Sequence, residues 1–293
     1  MDGFVAQCRP AVLNALKEDI GNGDVTSLAT IRPDMEAEGH FLAKAPGVIA
    51  GLEVVELVYR VLEEAFVPVG RLGPHEESAA VQFFAYVEEG ESIDAGTVVA
   101  RACGGAQRLL TAERVALNFL QRMSGVATMT KRYVDATKGS AAVILDTRKT
   151  APGLRYFDKR AVALGGGENH RFGLFDMALI KDNHIAAAGG ITPAVRRVRA
   201  RYSGVPIEVE VADLTQLNEA LDLDLDRILL DNMTADQIGE AVRIAGGRTP
   251  LEASGGVNLA NVAAIAATGV DSISVGALTH SVPALDISFD LLQ

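Results

Sequence analysis

The chain has 293 residues, 48% hydrophobic and 22% charged, which is enough to bury one large domain and a smaller companion. A formal net charge of −11 and an aromatic content of 5%, with no Trp, argue against a surface for nucleic acid. No apolar run approaches the roughly 18 residues of a membrane span, and Cys8 and Cys103 stand in no metal-ligand spacing. We therefore expect a cytoplasmic protein that partners neither nucleic acid nor membrane.

The first third of the chain has the pattern of a mixed α+β domain. Apolar side chains at helical spacing predict one helix, through Leu52, Val55, Val58 and Leu62. Strand-like runs cover residues 41–45, 80–87 and 97–102. A long helical stretch over residues 111–137, broken or bent at Ser124-Gly125, would bridge to the next domain, which predicts a boundary near residue 115.

After Lys138, short apolar strands alternate with amphipathic helices, which is typical of a parallel sheet built from βα units. Six strands are predicted, at residues 142–146, 177–180, 207–211, 227–230, 251–253 and 272–275. Helix starts are predicted at Thr192, Asp213, Thr234 and Asn258. The chain then divides into an N-terminal α+β domain, 1–115, and a second domain, 116–278, with a tail, 279–293, that can pack back on the first.

Alternating strands and helices suit either an open doubly wound sheet or a barrel. Polar, charged or Gly residues follow nearly every strand, in the segments Thr147-Arg148-Lys149, Lys181-Asp182-Asn183-His184, Asp231-Asn232 and Ser254-Gly255-Gly256. In a barrel these strand ends converge on one face, where such enzymes place their chemistry. The expected fold class is therefore α/β, an incomplete C-terminal α/β barrel with a smaller N-terminal α+β domain.

The segment from Thr147 to His184 is basic within an acidic chain, with seven Arg and Lys residues against four Asp and Glu. Such a window also suits a solvated basic helix. Arg148 and Lys149, however, abut a strand end, and Arg171 follows a loop of three glycines, neither of which is typical of a surface helix. Several fixed cations around one cleft suit a ligand with carboxylates and phosphates, because the guanidinium fork binds both bidentately.

Carboxylates occupy the neighbouring strands. Glu208 and Glu210 share one face of a predicted strand, and Asp231 directly follows the next strand along the chain. Glu210 and Asp231 could hold Mg²⁺ through one or two oxygens each. The alternative is a structural salt bridge from these carboxylates to Lys181 or Arg148.

Glycines follow the last two predicted strands. Ser254-Gly255-Gly256 and Gly276-Ala277 resemble the phosphate cradle that barrels build at this place, where backbone N–H groups approach the phosphate. Plain βα turns would use the same residues. His40, His75 and His280 stand in no metal-ligand spacing and are weaker candidates for function.

Six motifs together resemble the quinolinate phosphoribosyltransferases in order and spacing. They are Asp146-Thr147-Arg148-Lys149-Thr150, Glu168-Asn169-His170-Arg171, Lys181-Asp182-Asn183-His184, Glu208-Val209-Glu210-Val211, Leu230-Asp231-Asn232 and Ser254-Gly255-Gly256. Upstream segments at 18–26 and 113–125 resemble the same family, so the likeness covers nearly the whole chain. It implies transfer of a phosphoribosyl group from phosphoribosyl pyrophosphate to quinolinate with decarboxylation, in de novo NAD biosynthesis.

The resemblance also implies a homodimer with shared active sites and a role for each matching residue. Arg114 would reach into the partner's site, and the quinolinate carboxylates would be bound by Arg114, Arg148, Arg171 and Lys181, with His170 beside them. Phosphoribosyl pyrophosphate and its Mg²⁺ would be bound by Lys149, Glu210, Asp231, Ser254, Gly255, Gly256, Gly276 and Ala277. Thr147 would also bind substrate. Catalytic roles would fall to Lys149, Lys181, Glu210 and Asp231.

Three other functions fit parts of the pattern. A paralogue found in molybdenum-uptake operons shares the fold, but it would be expected to lose part of the dicarboxylate clamp that is complete here. A barrel aldolase could form a Schiff base on Lys181 at the same phosphate cradle. A silent binder of NAD precursors would keep the fold without the activity.

Overall fold

The computed structural model describes residues 3–66 and 79–292, and it divides the chain into two compact units. The first unit comprises the described residues of Met1–Met129, Ala151–Gly165 and Val282–Gln293. The second comprises Thr130–Thr150 and Gly166–Ser281. Each unit is therefore assembled from separate stretches of sequence.

In chain order, the first elements are α1 (Gly3–Ile20), α2 (Val25–Thr30), β1 (Glu36–Ala43), β2 (Gly47–Val48), α3 (Leu52–Ala65), β3 (Gln82–Ala85), β4 (Ser92–Ile93), β5 (Val98–Gly105) and α4 (Ala106–Ala136). The next are β6 (Val143–Leu145), α5 (Arg155–Leu164), β7 (Ala178–Ile180), α6 (Asp182–Ala188), α7 (Ile191–Arg201), β8 (Ile207–Val211) and α8 (Leu214–Leu221). The last are β9 (Arg227–Asp231), α9 (Ala235–Ala245), β10 (Leu251–Ser254), α10 (Val262–Ala266), β11 (Ser272–Ser274), α11 (Ala277–His280) and β12 (Ile287–Leu291).

The first unit contains an antiparallel sheet in the order β12-β1-β5-β3 and a small pair, β2 with β4. Strand β1 alternates in burial, with Gly39, Phe41 and Ala43 facing inward, so one face of the sheet enters the core. The predicted apolar face of α3 is buried as expected. Strand β12 lies at the sheet edge, where it pairs with β1.

Helix α4 is continuous through Ser124 and Gly125, so the predicted break at this point is wrong. The two small residues allow close packing instead. The Ser124 hydroxyl accepts a hydrogen bond from the Ala50 N–H at 3.0 Å, and a Cβ on Gly125 would lie 2.3 Å from the Pro283 carbonyl oxygen. The small side chains of Ser124 and Gly125 are therefore explained by close tertiary contacts, and they do not mark the end of a helix.

The second unit confirms the α/β fold class, and all six predicted strands are present. They form a parallel sheet in the order β6-β11-β10-β9-β8-β7. Among the described residues, β6 and β7 form no ladder with each other, although Leu145 makes a parallel bridge to Glu168. The arrangement is that of an incomplete barrel, in which the carboxyl ends of the strands lie at one edge.

Helix starts in the second unit were predicted with mixed success. Asp213 caps α8, and Thr234 forms a capping box with Gln237 at the start of α9. The starts at Thr192 and Asn258 are wrong, because Gly190 precedes α7 and α10 begins only after Asn261. Asn258 instead accepts a hydrogen bond from the Ala260 N–H within a turn.

The helices of the described ranges include none that is both long and apolar enough to cross a membrane.

Candidate active site

A cavity of about 480 Å³ opens in the second unit at the carboxyl ends of the parallel strands. Most of the site residues predicted from the sequence line it: Thr147, Arg148, Lys149, His170, Arg171, Lys181, Glu210, Asp231, Ser254, Gly255 and Gly256. Five further residues complete the lining: Leu179, Leu229, Asn232, Glu252 and Ser274. The strand-end segments thus meet in one place, as the barrel interpretation required.

Arg148 and Arg171 place two guanidinium groups in the cavity lining. Burial, and next the nearby Arg148 guanidinium, lower the pKa of Arg171. The Arg171 guanidinium also donates a hydrogen bond to the Met177 carbonyl at 3.1 Å, which fixes its direction. Two guanidinium groups held close together repel each other, so a ligand with two carboxylates would stabilise this arrangement.

Lys181 lies between β7 and α6 and forms an ion pair with Glu210. Its Nζ is 2.9 Å from Glu210 Oε2, and its backbone N–H donates to His184 Nδ1 at 3.0 Å. The salt bridge that the sequence left open for Glu210 is therefore present. The ammonium group of Lys181 is thus held against a carboxylate on the neighbouring strand β8.

Glu210 and Asp231 reach the cavity from adjacent strands, β8 and β9, whose ladder pairs Glu210 with Leu229. Asp231 Oδ2 accepts a hydrogen bond from the Asn232 amide at 2.9 Å. Carboxylate oxygens are the ligands that Mg²⁺ prefers, and a cavity that opens to solvent leaves room for water and phosphate oxygens. The donor set therefore fits a Mg²⁺ ion.

The glycine loop after β10 has a conformation and a packing that require glycine. Gly255 and Gly256 have φ angles of +91° and +65°. A Cβ on Gly255 would lie 2.2 Å from Asn232 Oδ1, whereas a Cβ on Gly256 would meet nothing within 4 Å. The loop is further held by side-chain amides of Asn258 and Asn261, which donate to the Gly256 carbonyl at 3.2 and 3.1 Å. This is a fixed loop of the kind that binds phosphate.

Gly276 and Ala277, at the start of α11, are not part of the cavity lining. Gly276 nevertheless lies next to it, since a Cβ there would be 3.3 Å from Lys149 Cδ and 3.1 Å from His280 Nε2. Thr279 Oγ1 also donates to the Lys149 carbonyl at 2.9 Å. The last turn thus supports Lys149 and places His280 near it.

His280 is a residue that sequence reasoning set aside. It stands alone in the sequence, and its proximity to Lys149 arises only because the chain returns past β6 after β11. His40 lies in β1 of the first unit, 3.5 Å from Glu38, and His75 lies outside the described residues. Arg114 is exposed on α4 within the first unit.

Three buried titratable groups lie at the inner side of the cavity. His170 Nε2 is 2.9 Å from Glu208 Oε2 and 3.5 Å from Glu252 Oε2. Burial, and next the Glu208 carboxylate, raise the pKa of Glu252. Alternation along β8 predicted that Glu208 and Glu210 share a face, but nothing in the sequence indicated that Glu252 would join them.

Comparison with known proteins shows similarity along both units. The family model described as quinolinate phosphoribosyl transferase, N-terminal domain, matches residues 24–124, and the model of the C-terminal domain matches residues 126–290. Quinolinate phosphoribosyltransferase (decarboxylating) 2b, mitochondrial, from Nicotiana tabacum is 45% identical over 297 residues, which cover 94% of this chain and 80% of that protein.

Two bacterial proteins give the same result. Nicotinate-nucleotide pyrophosphorylase (carboxylating) from Mycobacterium leprae (strain TN) is 45% identical over 287 residues, covering 97% of this chain and 96% of that protein. The crystal structure of NadC from Streptococcus pyogenes superposes with a TM-score of 0.88 at 36% identity, covering 98% of both chains.

Proposed function

The chain belongs to the quinolinate phosphoribosyltransferase family, and we propose that the cavity of its second unit is the active site. The enzyme transfers the 5-phosphoribosyl group of phosphoribosyl pyrophosphate to quinolinate with decarboxylation, a step of NAD biosynthesis. One observation supports the choice of cavity: the paired guanidiniums of Arg148 and Arg171 face the same space as the carboxylates of Glu210 and Asp231. One wall suits a dicarboxylate and the other a metal-bound diphosphate.

Quinolinate binding is assigned to the cationic wall. Arg148 and Arg171 bind the two ring carboxylates, and the Lys181 ammonium completes the positive charge around them. His170 lies beside Arg171 in the same lining. Nicotinate, which has a single carboxylate, leaves part of this charge unpaired and is therefore a poor substrate.

Phosphoribosyl pyrophosphate binding is assigned to the opposite wall. Ser254, Gly255 and Gly256 hold the 5-phosphate through the rigid loop after β10. Lys149, which lies against the turn at Gly276, adds positive charge beside it, and the His280 imidazole lies at the same turn. Glu210 and Asp231 would hold Mg²⁺, which would supply positive charge to neutralise the pyrophosphate leaving group.

The reaction then proceeds mainly by positioning. The ring nitrogen of quinolinate forms a bond to C1 of the ribose, while the C1–O bond breaks and pyrophosphate leaves with its electron pair. Glu210 and Asp231 stabilise the positive charge that develops on the ribose. The new ring cation then stabilises the electron pair left on C2 when its carboxylate departs as CO₂, and a proton from solvent completes nicotinate mononucleotide.

We also propose a homodimer in the cytoplasm, in which Arg114 of each subunit contributes to the partner's quinolinate site. Arg114 is exposed on α4, which leaves its guanidinium available to another chain. Cys8 and Cys103 are free thiols, as is usual in a reducing compartment. The Mycobacterium leprae relative carries no organelle in its name, whereas several of the plant relatives are named as mitochondrial or chloroplastic.

The test of the function is an assay for nicotinate mononucleotide. Purified enzyme is supplied with phosphoribosyl pyrophosphate, Mg²⁺ and either quinolinate or nicotinate. We expect product from quinolinate and little from nicotinate, because nicotinate lacks the second carboxylate. Binding of quinolinate without product would overturn the proposed reaction, and equal rates with both substrates would overturn the role of the cationic wall.

A further inference from the structure

An ionic cluster lies at the inner side of the cavity, formed by the buried His170, Glu208 and Glu252 together with the partly exposed Arg227. Glu208 and Glu252 have no exposed side-chain surface, and Arg227 Nη1 is 2.8 Å from Glu252 Oε2. Glu208 precedes Glu210 by two positions on β8, so it occupies the same face one layer deeper. Barrel interiors are usually filled by branched apolar side chains, and buried carboxylates are costly, so this cluster requires a functional reason.

The proton on the His170 ring can be placed from its neighbours. The Arg171 backbone N–H donates to His170 Nδ1 at 2.7 Å, and a backbone amide cannot accept a hydrogen bond. Nδ1 therefore carries a lone pair, and the ring proton lies on Nε2, which faces Glu208. The imidazole thus connects a buried carboxylate to the main chain of Arg171.

The same tautomer argues against a metal ion bound by His170, Glu208 and Glu252. Ligand atoms of His170, Glu208 and Glu252 lie within 4.8 Å of one another, a spacing that also suits a metal ion. A metal at this point would need the lone pair of Nε2, which is protonated here because Nδ1 accepts the Arg171 amide. The cluster therefore acts through the histidine ring and not as a metal site.

Glu208 shows the cost of this arrangement. Its Oε2 is at ion-pair distance from His170, yet neither carboxylate oxygen has a partner that meets hydrogen-bond geometry among the described residues. A fully buried charge without strong hydrogen bonds destabilises the fold. The residue that this buried carboxylate faces is His170, through the contact of Oε2 with Nε2.

The segment His170-Arg171 is held from two buried carboxylates. The His170 backbone N–H donates to Asp146 Oδ1 at 2.9 Å, and the ring Nε2 lies 2.9 Å from Glu208 Oε2. The ring in turn holds the Arg171 amide, while the Arg171 guanidinium is held separately by the Met177 carbonyl. Both ends of Arg171 are thus fixed, one of them through Glu208.

We propose that Glu208 is a positioning residue for the substrate dicarboxylate: it keeps the His170 proton on Nε2, so that Nδ1 fixes Arg171 toward the substrate carboxylates. The inference rests on the proposed function, because it assumes that Arg171 binds quinolinate. Glu208 itself is not part of the cavity lining and does not touch the substrate.

The tautomer is tested by nitrogen NMR of the ¹⁵N-histidine-labelled enzyme. The His170 signals are assigned by their loss in His170→Asn. Nδ1 in the unprotonated shift range and Nε2 in the protonated range are expected. A proton on Nδ1, in either the neutral ring or the imidazolium, would overturn the inference and leave the proposed reaction untouched.

Steady-state kinetics test whether Glu208 affects the binding of quinolinate. Glu208→Leu removes the carboxylate that His170 Nε2 faces, and the KM for quinolinate should rise about tenfold or more while that for phosphoribosyl pyrophosphate stays within about twofold. Glu208→Gln retains an acceptor oxygen and should restore most of the loss. Asp226→Ala is the control: it removes the acceptor for the Ile207 N–H at the start of β8 without reaching His170, and should change neither KM.

Equal rises in both KM values, or no rise in Glu208→Leu, would show a purely structural role and overturn the proposal. If Glu208→Leu does not fold, Glu208→Gln decides the point. In Glu208→Gln, the His170 proton is expected to stay on Nε2. If the proton moves to Nδ1 and the KM for quinolinate does not rise, the His170 tautomer does not control quinolinate binding, and the proposal is wrong.

Discussion

The Lys181 ammonium lies 2.9 Å from the Glu210 carboxylate, so a residue of the cationic wall is paired with a residue assigned to Mg²⁺. Glu210 is mostly buried and Lys181 is nearly half exposed, at 14% and 45% of their side-chain surfaces. The main effect of the ion pair is therefore to fix the position of the buried Glu210 carboxylate, because solvent already screens the charge of the exposed Lys181. It couples the quinolinate side of the cavity to the diphosphate side.

Glu210→Gln tests whether this carboxylate also holds the metal. The amide keeps an oxygen ligand but loses the charge, so the Mg²⁺ concentration for half-maximal rate should rise about tenfold or more. Initial rates against Mg²⁺ at fixed substrate concentrations measure the change. Glu219→Gln, at an exposed glutamate hydrogen-bonded to Thr192, is the control. A lower rate with unchanged Mg²⁺ dependence would limit Glu210 to orienting Lys181.

Gly255→Ala tests the phosphate loop. The new methyl group would collide with Asn232 Oδ1, and Asn232 is itself at a positive φ of 55°, next to Asp231. We expect the KM for phosphoribosyl pyrophosphate to rise about tenfold or more, together with a lower melting temperature.

Gly204→Ala is the matched control for backbone strain alone. Its φ of +76° is close to that of Gly255, but a Cβ there meets nothing within 4 Å. It should lower stability by about 1 kcal/mol and leave both KM values unchanged. Equal kinetic effects of the two variants would count against a phosphate role for the loop.

Local patterns predicted the second unit well, because its strands are short apolar runs that end in polar residues. Most of the polar residues that line the cavity could be named for that reason. The position of β1 was harder to predict, since it begins at Glu36 and carries Glu38 and His40 between its buried residues. Partner strands on both sides satisfy the backbone of these polar residues, which the sequence alone does not indicate.

Residues brought together by chain topology could not be predicted. Glu252 enters the ionic cluster only because β10 lies near β8 in the sheet order, and His280 approaches Lys149 only because β11 pairs with β6. Neither has a sequence neighbour that indicates its contact. The family resemblance supplied roles for the cavity residues, but the ring orientation of His170 required the three-dimensional contacts of both nitrogens.

Asp24 provides a prediction of pH dependence. It caps α2 by accepting from the Thr26 and Ser27 amides, and its other oxygen accepts from the Thr111 hydroxyl at 2.9 Å. Partial burial acts to raise the pKa of Asp24, but the hydrogen bonds from Ser27, Thr111 and Thr26 outweigh it and lower the pKa. A lowered pKa in the folded state means that the ionised carboxylate stabilises the fold above its unfolded pKa, and that this stability is lost as pH falls through the folded value.

Asp24→Ala should therefore lower the free energy of unfolding by about 1 kcal/mol at pH 7, with the difference shrinking below about pH 4. Urea denaturation at both pH values measures it. Thr111→Val removes one of the hydrogen bonds and should show a smaller loss with the same pH trend. A difference for Asp24→Ala that persists unchanged at low pH would assign the effect to the cap geometry and not to the charge.

Subunit mixing tests the shared site that Arg114 implies. Arg114→Ala should remove at least about 99% of activity without changing the melting temperature, because the exposed guanidinium contributes to binding and not to the core. Arg171→Ala should be similarly inactive. If Arg114 serves the partner's cavity, a heterodimer of the two variants contains one site with both arginines intact and one with neither, and the statistical mixture should recover about a quarter of wild-type activity.

Subunit exchange is verified by differential tags before activity is measured. Arg148→Ala mixed with Arg171→Ala is the control, since both residues line the cavity of one chain and every site in the mixture then lacks at least one of them. Recovery only in the Arg114 mixture places that arginine in the partner's site. The absence of recovery in tagged, exchanged heterodimers would mean that Arg114 acts within its own chain.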